Sequence, residues 1–89
     1  MKQVYDIVLK RSVLKDIRRI PRIVVRELQD CIAALAIDPF PHGVEPIAGY
    51  EHHFRIRVGN YRIIYEVAKT VRIITIIRIG HRKDVYRSM

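Results

Sequence analysis

The clearest pattern in the chain lies between residues 54 and 58, where Phe54, Ile56 and Val58 alternate with Arg55 and Arg57. A period of two belongs to a strand with one face buried and the other open, so both arginines are expected to project from one open face. Gly59 and Asn60 follow. Both tolerate positive φ, which predicts a two-residue hairpin turn that returns the chain through Tyr61 to Val67, with Arg62 just past the turn. The run from Val71 to Ile79 is largely apolar on both parities, broken by Arg72 and Arg78. It reads as an interior strand covered on both faces over Ile73 to Ile77. Gly80 ends it, and a tail of His81, Arg82, Lys83, Asp84, Val85, Tyr86 and Arg87 follows.

Upstream, Tyr5, Ile7 and Leu9 alternate with Asp6, Val8 and Lys10, which predicts a first strand. Ser12 then stands where a helix N-cap is expected. Val13, Leu14, Ile17 and Ile20 recur at helical spacing with charges between them, so a short amphipathic helix is expected up to Pro21. Val24, Leu28, Cys31, Ile32 and Leu35 form one stripe of a second helix over residues 22–37. Asp38 and Pro39 stop it. Residues 39–50, with three prolines and two glycines, read as a loop leading back to the sheet. The expected architecture is a single α+β domain over residues 1–89. Two N-terminal helices pack on one face of a small, mainly antiparallel four-stranded sheet in the order β-α-α-β-β-β, a two-layer sandwich.

Charge sharpens this picture. The 89 residues carry 17 Lys and Arg against nine Asp and Glu, a net +8. Residues 51–89 hold nine of the basic residues and only three acidic ones, so the excess belongs to the sheet half. A polyanionic partner is expected, phosphate backbone first, then an acidic protein segment. An anionic membrane fits poorly because no amphipathic anchor accompanies the charge. The lone Cys31 cannot form an internal disulfide and is expected as a buried thiol, which fits a reducing compartment. No apolar run approaches the roughly 20 residues of a bilayer span, and the N-terminus lacks a signal-peptide core, so the expected location is the cytoplasm. His52 and His53 are adjacent and would point apart in extended chain. No Cys/His or carboxylate cluster has ligand spacing, and neither a metal nor another cofactor is expected.

The run from Phe54 to Glu66 resembles the second and third strands of toxins of the RelE/ParE superfamily, and Gly80 to Arg87 resembles the C-terminal signature of its RelE branch. The strand and two-helix opening that ends in Asp38 and Pro39 is similar as well, so the likeness spans nearly the full chain. It implies the toxin of a type II toxin-antitoxin pair, an mRNA interferase that cuts mRNA in the ribosomal A site and is neutralised by an antitoxin wrapped around it. The residues it implies for function are Arg55, Arg57, Arg62, Arg82 and Tyr86. One departure matters: RelE enzymes of the best-known type carry lysines where this chain has Arg55 and Arg57. A guanidinium stays protonated at any working pH, so the general base is not identified by the resemblance.

Metal-free RNA cleavage needs a base for the 2′-hydroxyl, cations for the crowded phosphorane and an acid for the departing 5′-oxygen. Arg62 and Arg82 suit the middle role, since a planar guanidinium forks onto phosphate oxygens. Tyr86 either stacks a splayed base or packs in the core. His81 titrates near neutrality and is a candidate proton shuttle, against a capping or packing role. Arg72 and Arg78 read as surface residues or contacts to an acidic partner; Tyr61 and Tyr65 share the parity of Ile63 and Val67 and read as core. Two other functions fit the same features. One is a ParE-like toxin that binds DNA gyrase; the other is an RNA- or ribosome-binding protein without chemistry.

Overall fold

The computed structural model describes residues 4–81, so Arg82 and Tyr86 lie outside the described residues. The chain runs β1 (Asp6–Leu9), α1 (Arg11–Arg18), α2 (Arg22–Ile37), β2 (Glu45–Pro46), β3 (His53–Val58), β4 (Tyr61–Ala68) and β5 (Ile73–His81). The strands form one sheet in the order β1-β5-β4-β3-β2, with β1 parallel to β5 and the other pairs antiparallel. The expected two-layer α+β architecture is present. The expected strand count is corrected from four to five: Glu45 and Pro46, inside the supposed loop, pair with Arg55 and Phe54 at the edge of the sheet. Pro46 is compatible with an edge strand because it need not donate inward.

Both helices cover the same sheet face. Leu28 and Leu35 of α2 and Val13 of α1 are buried against Ile63, Tyr65 and Val67 of β4 and Ile74, Ile76 and Ile79 of β5. Val24, Cys31 and Ile32, the rest of the predicted stripe, are half-buried around them. Burial pushes the Cys31 thiol up, so it stays protonated and packs as a small apolar group. Tyr65 is fully buried, and its hydroxyl donates to the Pro39 carbonyl at 2.7 Å, tying the start of the 39–50 segment to the core.

The interior strand β5 does not keep one parity. Ile64 faces Arg78, yet Tyr65 faces Ile76, so Ile77 is an extra residue, a β-bulge. The buried set therefore steps from Ile74 and Ile76 to Ile79, and Arg78 leaves the core face that simple alternation would have given it. Ile73, Thr75 and Ile77 are half-buried, which corrects the expectation of a strand fully covered on both faces.

Ser12 is also corrected. Lys10 occupies the N-cap of α1, without a side-chain bond, and Ser12 lies inside the helix with its hydroxyl donating to the Ile77 carbonyl at 3.0 Å. The reason is the short β1, whose pairing with β5 ends at Leu9↔Ile76. Beyond that point α1 takes over: Ser12 meets Ile77 O, and the Ile79 N–H donates to Asp16 Oδ2 at 3.0 Å. Side chains thus satisfy the backbone groups that a longer strand would have paired.

Candidate functional site

The predicted hairpin forms, with Val58 directly opposite Tyr61. Only Gly59 adopts positive φ (59°), whereas Asn60 does not, the pattern of a turn with glycine at its first central position. This tight turn fixes the register of the two strands. Arg57 stands directly opposite Arg62, and Arg55 opposite Ile64. Phe54, Ile56 and Val58 turn to the helix side and pack against the core, which leaves the arginines on the open face.

Arg55, Arg57 and Arg62 line a cleft of about 250 Å³ together with Gly43 and Glu45. The sequence thus located the three basic residues but not the carboxylate among them. Glu45 arrives by way of a turn at 41–44, closed by the Val44 N–H to the Pro41 carbonyl at 3.2 Å and carrying Gly43 at φ 90°. It then pairs across from Arg55, and Oε1 lies 3.3 Å from the Arg55 guanidinium. No periodicity could have revealed this, because a two-residue strand has none; the only signal was an acidic residue in a proline-bounded segment beside a basic strand.

Ile64 sits on the same open face and is 0% exposed, although it lies outside the helix-side core. Its cross-strand partners are Arg55 and Arg78, long side chains whose hydrocarbon stems suit an apolar neighbour while their heads reach solvent. The basic face therefore has a firm floor. Arg78 is directed to Asp16 of α1 (3.6 Å). Arg72 is exposed in the turn before β5, with φ 56°.

His81 lies elsewhere. It pairs with Tyr61, the rings meeting edge to face at 5.9 Å, and shares the helix-side parity of Tyr61. With Asp16, Arg19 and Arg78 these two line a second cleft of about 210 Å³. The structure therefore brings Arg55, Arg57 and Arg62 together and sets His81 apart, around the end of the sheet. Of the adjacent histidines only His53 enters β3, where its Nδ1 lies 2.6 Å from the Glu51 carbonyl oxygen. His52 precedes the strand at φ 60°. Among the described residues no three His, Cys, Asp or Glu side chains gather as a metal site, and no helix is long and apolar enough to cross a membrane.

The chain matches the profile of the ParE toxin family of type II toxin-antitoxin systems over residues 7–86. It is 29% identical over 84 residues to the toxin RelE3 of Methanocaldococcus jannaschii, a likeness covering 90% of this chain and 93% of that one. Its fold is similar to that in the archaeal RelE-RelB complex of Pyrococcus horikoshii, with a TM-score of 0.79 and 25% identity over 89% of this chain and 96% of that one. The RelB-RelE antitoxin-toxin complex of Methanococcus jannaschii contains a similar chain, with a TM-score of 0.67 and 28% identity over 89% of this chain and 94% of that one.

Proposed function

This chain belongs to the ParE toxin family of type II toxin-antitoxin systems, and on that premise we propose that it is an mRNA interferase, cutting mRNA in the ribosomal A site without a metal. The observation that carries this reading is the convergence of Arg55, Arg57 and Arg62 in one open cleft on the face left bare by the helices. Three guanidiniums at neighbouring strand positions suit a phosphodiester. Arg57 and Arg62, directly opposite one another, can fork onto its two nonbridging oxygens and hold the extra negative charge of the phosphorane. Arg82 and Tyr86 join them on the strength of the resemblance, as a further phosphate ligand and a base-stacking ring.

The partner in this reading is a cognate antitoxin. The similar RelE chains were solved in complexes with RelB, and a net charge of +8 favours an acidic wrapping segment. Binding to the native state alone raises apparent stability, so the antitoxin should raise the melting temperature. The family profile itself favours a second reading, a ParE-like toxin acting on DNA gyrase. Mapping mRNA 5′ ends after brief induction, with gyrase supercoiling assayed in parallel, separates the two. New ends within translated codons and unchanged supercoiling support the interferase; intact mRNA with blocked supercoiling supports the other.

A further inference from the structure

The open face changes character along β3. The row of Arg57 and Arg62 is cationic, and so is the neighbouring row of Arg55 and Arg78, but the next row, His53 with Glu66 and Thr75 across the sheet, has no lysine or arginine. A single-stranded RNA laid on this face meets cations for its phosphates at one end and a surface without them at the other. That second surface is aromatic. His53 shares the parity of Arg55 and Arg57, and its ring lies 5.6 Å from that of Tyr50, centroid to centroid, at an angle of 49°. At that separation no base fits between the two rings, so they make one continuous surface and not a slot.

The tyrosine ring is 44% exposed, outside the core that buries Tyr65. Backbone bonds hold the turn that carries it. The Tyr50 N–H donates to the Ile47 carbonyl at 3.3 Å, the His53 N–H donates to the Tyr50 carbonyl at 3.4 Å, and the Val67 N–H donates to the His52 carbonyl at 3.0 Å, tying the turn to β4. The imidazole is fixed as well, because its Nδ1–H donates to the Glu51 carbonyl at 2.6 Å.

We propose that Tyr50, braced by His53, is a stacking platform for a nucleobase of single-stranded RNA whose backbone passes through the arginine cleft. The inference rests on the reading of that cleft as a phosphate site, and the platform is separate from the stacking role that the resemblance implies for Tyr86. His53 lies four positions before Arg57 on β3, about 13 Å along the strand, so the base belongs to a nucleotide displaced along the RNA from the phosphate that Arg57 and Arg62 hold. Every base has a π-face, so the platform contributes affinity and register but no choice between codons.

The test is equilibrium binding of a short single-stranded oligoribonucleotide, made uncleavable by 2′-O-methyl groups, to wild type, Tyr50→Phe and Tyr50→Leu, with melting curves on the same samples. Leucine keeps apolar bulk and removes the π-face. Tyr50→Leu should bind about 5- to 150-fold more weakly, and Tyr50→Phe within about twofold of wild type. An abasic nucleotide is then moved along the oligonucleotide one position at a time. At the contacted position it should weaken wild type to the level of Tyr50→Leu, and Tyr50→Leu itself should be indifferent to it. Wild type bound no tighter than Tyr50→Leu would overturn the platform, and so would a Tyr50→Leu loss that is the same with and without the base at every position. Unchanged RNA affinity in Tyr50→Leu with weakened neutralisation by the cognate antitoxin would give the ring to the protein partner and overturn it too. The expected binding in a wild-type protein that leaves A-site mRNA whole on programmed ribosomes would support the platform and sink the interferase reading alone.

Discussion

Replacing Tyr65 by phenylalanine removes one hydroxyl from the centre of the molecule and tests how the segment carrying Glu45 is anchored. The ring is fully buried, and the hydroxyl makes a buried 2.7 Å hydrogen bond to the Pro39 carbonyl. The variant keeps the ring and its packing against Phe54 (5.9 Å between centroids) but strands a buried acceptor. That costs about 1–2 kcal/mol, or roughly 4–16 °C in melting temperature for a domain of this size. The pH dependence supplies an independent signature. Burial raises the Tyr65 phenol above its ordinary range, with the neighbouring Cys31 and Asp38 adding to the effect. A raised folded-state pKa means that the unfolded chain loses this proton first. The contribution is complete below about pH 10 and lost as pH rises above it, at up to about 1.4 kcal/mol per pH unit. Denaturant melts from about pH 8 to about pH 11 should therefore show wild type weakening faster than Tyr65→Phe at the alkaline end. A variant that melts within about 2 °C of wild type and follows the same alkaline curve would refute the buried anchor.

Replacing Arg55 and Arg57 together by glutamine should flatten the dependence of log binding constant on log salt for a short oligoribonucleotide, by about 0.7 for each phosphate that is no longer neutralised. An unchanged slope would place binding on another face. Asp16→Ala deprives the Ile79 N–H of its acceptor on a strand where Ile79 is only 2% exposed, and should cost about 1–3 kcal/mol. Amide exchange at Ile79 should accelerate, and a melting curve like that of wild type would contradict this account of the β5 edge.

The first strand β1, the β3–β4 hairpin, both helices and the arginine face were legible because their periodicity is local. Arg55 and Arg57 alternate with three apolar residues, and Gly59 marks the turn that sets Arg62 beside them. The failures were all tertiary. Ile77 is an extra residue in a run where both parities are apolar, so no pattern could reveal the bulge that moves Arg78 off the core face. Ser12 has the composition of a cap, yet its hydroxyl serves a carbonyl 65 residues away because β1 ends too early to do so. Glu45 belongs to the sheet only because Arg55 and Phe54 present an edge to pair with. The basic half of the cleft was thus readable in sequence; the acidic member came from the fold.

The most direct test of the central claim is single-turnover cleavage of A-site mRNA by Arg62→Ala and Arg57→Ala, with melting curves on the same samples. These residues stand directly opposite one another on β4 and β3. Removing one guanidinium from the phosphorane should raise the barrier by about 2–4 kcal/mol, a rate loss of roughly thirtyfold to a thousandfold, in protein that still melts cooperatively. Folded variants that cleave at the wild-type rate would contradict the assignment of this cleft as the site of RNA cleavage.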